Sequence, residues 1–499
     1  MSLRSASASR RSSPPVTLMA VLVGVFAVAM AISGTGVALP DIGADLDASG
    51  APLQWAVTGY NLALASFTLV CGSLADLFGR RRMFLVTTAL FTAGGLLSAV
   101  SPSILVLDVA RAVAGVGAGG VMACGGALLA ATFTGAGRTR AFAAMGTTGG
   151  AGVVVGPFLA GWLVTTLGWR ASFLVFVAVG VLIMLATRFV AESWGVERRQ
   201  VDRPGVVVFV TALGLLMFGV VQSPQGGPGG PVGIAVGALL LVVFVVIERR
   251  RDNPLLDLSL AGNAPFMGWC LGTVSTSIGF VGTLVYLPIY LQGVTGVTAA
   301  RAGLVMLMLT VPILVVPMFA GWLVNRGWSA RLMMTLALGL VAAGNGWLTV
   351  LHPGIGMLSL SAPLVTVGVG MGISFGITDA QAMNQVEASR IGMAAGFLNT
   401  LRNTGEAVVI AVFGTVLIAL IRSRVGSTEL ANQIAAGDLT GGDREFLAAQ
   451  YTQSWQVALL AVAVLCAVAA VVVFLLLAPH RSGARRAAEE TAQPAPEPV

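Results

Sequence analysis

The chain contains no lysine, and all 28 of its basic side chains are arginine. Without lysine there is no Gly-Lys-Ser/Thr loop to cradle nucleotide phosphates, and no amine for Schiff-base or pyridoxal chemistry. Charge of either sign is scarce, at 10% of 499 residues. The four cysteines (Cys71, Cys124, Cys270, Cys466) fall inside apolar stretches, and the two histidines (His352, His480) lie far apart. That distribution argues against a disulfide framework or a metal cluster, so neither a metal nor another cofactor is expected. No His, Cys or paired-carboxylate constellation suggests an enzyme.

Apolar sequence takes up most of the remainder. Hydrophobic residues make up 56% of the chain, and the mean hydropathy is +0.90, values that belong to an integral membrane protein. A bilayer-spanning helix needs roughly 20 apolar residues, and about fourteen such stretches lie between residues 16 and 477. The runs are too long and continuous for the alternating strands of a barrel. The chain is therefore expected to be an all-α integral membrane protein with 14 transmembrane helices.

The sequence pI near 10 could suggest a nucleic-acid binder, but the positions of the arginines argue otherwise. With the N-terminus inside, 21 arginines fall on the cytoplasmic side and five on the other, leaving Arg111 and Arg402 within spans. This asymmetry follows the positive-inside rule and predicts cytoplasmic N- and C-termini. The first apolar run, after "SRRSSPP", is too long for a signal h-region and is followed by no small-x-small cleavage site, so it is expected to be retained.

Charged stretches at 191–204 and 248–258 divide the spans into six, two and six. The expected organisation is a disordered cytoplasmic tail (1–15), a six-helix bundle (16–191), a linker carrying two inserted helices (192–264), a second six-helix bundle (265–477) and a second disordered tail (478–499). "GSLADLFGRRR" (72–82) and "GWLVNRGW" (321–328) occupy equivalent places in the two bundles, as an internal repeat would.

Gly72, Asp76, Gly79 and Arg80, Arg81 and Arg82 match the loop motif of the major facilitator superfamily. "RAVAGVGAGG" (111–120) and "GVVVGPFLAG" (152–161) resemble its fourth-span and antiporter-associated fifth-span motifs. "DRPG", the inserted pair, "ERRRDNPLLDLSL" and "LPIYLQGVTGVTAARAGL" together resemble its fourteen-span drug:proton antiporter branch, over residues 20 to 477. The resemblance implies the major facilitator fold, a cytoplasmic gate at the 72–82 loop and a hinge at the fifth-span motif. Two departures stand out. Ala114 replaces the usual fourth-span glutamine, and Ala31 and Gly36 stand where relatives carry a first-span Asp and an Asn.

Several residues read directly as chemistry. Gly152, Gly156 and Gly161 open a helix face to close approach, and Pro157 removes a backbone hydrogen bond. Asp108 and Arg111, three apart, can share one side of a helix as a salt bridge near the interface. Arg402 and Glu406, four apart, are full charges near mid-membrane. Their face must look into the bundle, either as a fixed ion pair or with Glu406 binding a proton or cationic substrate while Arg402 tunes it. Asp379 is either a second such acid or an interfacial one. Trp55, Tyr60, Asn61, Tyr286 and Gln292 are candidates for lining a substrate cavity, and residues 422–451 for a loop over the exit.

The resulting expectation is a monomeric secondary active exporter of amphipathic drugs or antibiotics in the cytoplasmic membrane, working by alternating access with proton antiport. Its partners would be a small-molecule substrate, protons and the bilayer, with no ATP and no nucleic acid. The alternatives are an uptake permease, an uncoupled exporter of an endogenous metabolite, or a non-transporting membrane sensor. The last would need a soluble domain, and no segment is long enough to fold one.

Overall fold

The computed structural model describes residues 13–194, 203–223, 227–250, 258–386 and 391–478. Both expected tails, the centre of "GVERRQVD" and most of "RRRDNPLLDLSL" fall outside or at the edge of these residues. The described residues form helices and no strands. In chain order the helices are α1 (Pro14–Asp45), α2 (Gly50–Phe78), α3 (Arg80–Ala99), α4 (Ile104–Thr132), α5 (Gly135–Ala186), α6 (Arg203–Gln222), α7 (Gly229–Glu248), α8 (Ala264–Thr295), α9 (Ala299–Asn325), α10 (Ala330–Trp347), α11 (Ser361–Met383), α12 (Ile391–Val425), α13 (Thr428–Ala435) and α14 (Arg444–Leu476). Twelve are long and apolar enough to cross a membrane, or thirteen with α2, whose halves meet at 46°.

Helix α5 is 52 residues long. At about 1.5 Å per residue it is more than twice as long as a ~30 Å hydrocarbon core is thick. It breaks at Gly168, where φ is 82° and ψ is 161°, a region that residues with a Cβ avoid. The break falls between the apolar stretches at about 141–167 and 169–191, which the sequence separates as its fifth and sixth spans. The expected exit segment at 422–451 contains the short helix α13, whose N-cap Ser427 accepts a hydrogen bond from the Leu430 amide at 3.3 Å.

Packing repeats between the first helices (α1–α5) and the last (α8–α12 and α14). Helix α2 packs on α4 and α4 on α3, as α9 packs on α11 and α11 on α10. Across the two groups, α5 packs on α9, α2 on α12 and α1 on α8. The inserted α6–α7 pair packs on itself and lies against α2 and α12.

The apolar core is divided unevenly. On the arginine-poor side a single cluster draws on both groups, including Leu39, Leu53 and Trp169 from the first and Tyr286, Leu309 and Trp455 from the second. On the arginine-rich side there are two separate clusters. One, around Phe84, Leu128 and Val25, belongs to the first group. The other, around Phe266, Met334 and Ile377, belongs to the second. The groups are thus welded at one end and part at the other, leaving a cleft that faces the arginine loops.

Candidate functional site

The shared core stops at about the same depth on every central helix, and the intramembrane charges sit there. On α12, Leu398 belongs to the arginine-side core and Ile410 to the shared one, with Arg402 and Glu406 between them. On α4, Ala114 and Leu107 bracket Arg111 in the same way. A charge in the apolar interior is costly, so each must find polar company at this boundary.

Arg111 is 2% exposed. Its Nε donates to the Ala56 carbonyl at 2.9 Å and its Nη2 to Thr35 Oγ1 at 3.0 Å. Its guanidinium carbon lies 4.1 Å from the centroid of the Tyr60 ring, a cation–π geometry. Thr35 Oγ1 in turn donates to the carbonyl of Ala31 at 2.7 Å. Arg111 is thus linked through the Thr35 hydroxyl to the α1 backbone at Ala31. The expected Asp108–Arg111 salt bridge does not form in this conformation, and Asp108 Oδ1 is buried without a hydrogen-bond partner. Arg111 instead turns toward α1 and α2, where carbonyl, hydroxyl and ring can satisfy it together.

The pairing of Arg402 also differs from the four-residue spacing. Its Nη2 contacts Asp379 Oδ1 on α11, and it lies 5.3 Å from the Phe375 ring. The Asp379 side chain is 61% exposed, so this pair sits at the rim of the cleft. Glu406 is left half-buried, and its Oε1 accepts a long hydrogen bond of 3.4 Å from Ser277 Oγ on α8. Next to it, Thr276 and Ser374 hydroxyls lie 3.0 Å apart, buried between α8 and α11.

The loop between α2 and α3 forms a clasp. Gly79 turns at a φ of 101°, open to glycine at little cost. Asp76, in the last turn of α2, accepts from Arg80 Nη2 at 2.8 Å. The Arg81 amide donates to Glu192 Oε1 at 2.9 Å, and Arg82 Nε lies 3.7 Å from Glu192 Oε2. Arg81 Nε donates to the Thr187 carbonyl at 2.8 Å. Sequence reasoning missed Glu192; its only signal was an acid following the sixth span, on the same side as three consecutive arginines. A Cβ added at Gly72 would come into ordinary contact with Ala123, at 3.7 Å.

The fifth-span glycines face two different neighbours. Gly152 and Gly156 lie against α1, where added Cβ atoms would meet the Phe26 carbonyl and Ser33 Oγ. Gly161 and Pro157 lie against α9. A Cβ on Gly161 would fall 2.3 Å from the Ala299 carbonyl oxygen, and one on Gly303 would fall 2.3 Å from that of Pro157.

Each of the five cavity candidates is engaged by other parts of the protein in this conformation. Tyr60 is fully buried beneath Arg111, and Asn61 Nδ2 is spent on the Val57 carbonyl at 2.9 Å. Tyr286 donates to the Ile410 carbonyl at 3.0 Å and stacks on Phe413. Gln292 Nε2 donates across the two groups to the Val37 carbonyl at 3.0 Å. Trp55 packs against α6.

The profile of the Major Facilitator Superfamily matches residues 21–410. The multidrug resistance protein Stp of Mycobacterium tuberculosis is 34% identical over 415 residues, covering 81% of this chain and 76% of that one. The cephamycin export protein CmcT of Amycolatopsis lactamdurans is 34% identical over 439 residues, covering 83% and 88%. Among solved structures, a bacterial homologue of the human lysosomal transporter Spinster, inward-facing and unoccupied, superposes with a TM-score of 0.64 at 14% identity, covering 93% of this chain and 97% of that one. The POT family transporter PepTSo gives 0.66 at 14% identity, covering 95% and 99%. The chain therefore belongs to the Major Facilitator Superfamily, as a multi-pass transporter of the cell membrane.

Proposed function

We propose that the protein exports amphipathic drug-like or antibiotic molecules by alternating access, driven by proton antiport through Glu406. The reading gives α5 two spans, one on each side of Gly168, for fourteen in all. It puts the arginine-rich face and both termini in the cytoplasm, and takes residues 16–191 and 265–477 as bundles that rock as a monomer. The clasp of Asp76, Gly79, Arg80, Arg81, Arg82 and Glu192 then acts as a cytoplasmic gate, and the welded end closes the exit. The names of the relatives, a multidrug resistance protein and a cephamycin exporter, support the direction of transport.

One observation carries the coupling role. Glu406 sits at the boundary between shared core and cleft, and among the described residues no cation pairs with it, Arg402 being held by Asp379. A half-buried carboxylate whose surroundings alternate between wet and dry is suited to taking up and releasing a proton. Arg111 lies at the same depth without a carboxylate partner and serves as a fixed positive charge in the first bundle.

The test is dye transport in everted vesicles with and without a protonophore. Wild type should accumulate dye only while the gradient stands. Glu406→Gln should lose at least tenfold of that gradient-driven uptake at unchanged membrane abundance. Gradient-independent transport by wild type, or full activity of Glu406→Gln, refutes the coupling. Dye movement only in right-side-out vesicles refutes export.

A further inference from the structure

The inserted helices bind the two bundles differently. Helix α6 lies on both α2 and α12. Leu62 of α2 packs against a cluster of Phe209 and Leu213 on α6 and Phe244 on α7. The Phe209 and Phe244 rings are 5.0 Å apart, centroid to centroid. The α6 and α7 backbones also meet, with Gly219 and Gly233 in van der Waals contact. Nearer the arginine-poor face, α6 continues onto Ala51 and Trp55 of α2.

There α6 also reaches α12. Met217 and Val221 cluster with Ala411, and Val408 packs against them. Thr415 Oγ1 donates to the Val220 carbonyl at 3.0 Å, joining the inserted pair to the second bundle. Phe209 and Leu213 have no α12 residue in their cluster. Just inside this joint α2 and α12 meet directly, where a Cβ on Gly414 would lie 2.5 Å from Gln54 Nε2. The α6 helix therefore bridges the outside of the α2–α12 seam at the welded end.

We propose that the α6–α7 hairpin is a staple, fixed to α2 and releasable from α12, that holds the α2–α12 seam shut while the cleft is open on the arginine-rich face. The mechanical reason is simple. If the bundles rock, the seam at Gln54 and Gly414 must part, and a helix lying across it must let go of one side. The α2 side takes part in both apolar clusters, from Ala51 to Leu62, and the second is braced by the Phe209–Phe244 pair between α6 and α7. The α12 side is a short patch with one hydrogen bond, so it is the side that gives way.

The proposal rests on the alternating-access reading but not on protons or on the direction of transport. Its test uses the full-length chain with Cys71, Cys124, Cys270 and Cys466 replaced by alanine. One variant carries Val220→Cys with Thr415→Cys, the other Leu62→Cys with Leu213→Cys. Each is bridged by a short bifunctional thiosulfonate and released by reductant. The 220–415 bridge should cut dye transport at least tenfold, with recovery on reduction, whereas the 62–213 bridge should change it less than about twofold. Thr415→Val in a chain carrying Leu39→Cys should raise thiol labelling at position 39 from the arginine-poor side several-fold. That readout needs no substrate or gradient, so failure of the export reading and failure of the staple are separable. Full transport with the 220–415 bridge closed, loss of transport with the 62–213 bridge closed, or unchanged labelling at position 39 would each overturn the proposal.

Discussion

At the residue scale, the intramembrane charges were easy to find in the sequence, but their partners were not. Spacing along one helix reports which side chains share a face, and nothing about what the neighbouring helices bring to that face. Glu406 lies one turn from Arg402, yet Asp379, on another helix and 23 positions earlier, holds the guanidinium. Arg111 lies three residues from Asp108 and is satisfied by Ala56, Thr35 and Tyr60. The Tyr60 ring supplies something no hydrogen bond replaces. Tyr60→Leu should therefore destabilise the protein by about 2 kcal/mol, as expected for a desolvated cation–π contact. Tyr60→Phe keeps the ring and loses only a 3.5 Å contact from its hydroxyl to the Val28 carbonyl. Thermal unfolding in detergent should place Tyr60→Phe near wild type and Tyr60→Leu well below it; equal losses would mean that the ring face contributes nothing.

At the scale of elements, most helices could be read because lipid requires long apolar runs closed by polar breaks. The break in α5 is an instance: "TTLGWR" reads as a boundary, and the chain turns there at Gly168. Nothing lies within 4 Å of a Cβ built at Gly168, so backbone strain is the sole cost of a side chain. Gly168→Ala should lose roughly 1–3 kcal/mol, and Gly168→Ser about as much. A melting temperature unchanged by either substitution would show that the α5 turn tolerates another conformation. The placement of α6 was not legible. Its apolar residues satisfy lipid and protein alike, so hydropathy could not say which face meets α2 and α12.

At the scale of the whole molecule, the all-helical membrane fold class came from hydropathy, charge asymmetry and motif order. The conformation did not, because a sequence that visits several states encodes them all. The uneven division of the core defines the state seen here, with one cluster at one end and two at the other. This makes a labelling prediction. Gly146 and Gly150 of α5 have no neighbour within 4 Å of a built Cβ, so Gly146→Cys and Gly150→Cys should react readily with a water-soluble thiol reagent applied from the arginine-rich side. Leu39→Cys, 2% exposed in the native chain, should be protected by at least tenfold. Comparable rates would mean that the closed end is not closed in the membrane.

At two points the seam between α5 and α9 is closed by main chain. With Gly161 against the Ala299 carbonyl and Gly303 against that of Pro157, the two backbones lie too close for even a methyl group. Water files between helices along gaps left by imperfectly meshed side chains, and here such gaps have no room to form. The joint therefore acts as an electrical insulator. A cell can hold many copies of this carrier in its membrane without short-circuiting the ion gradients across it.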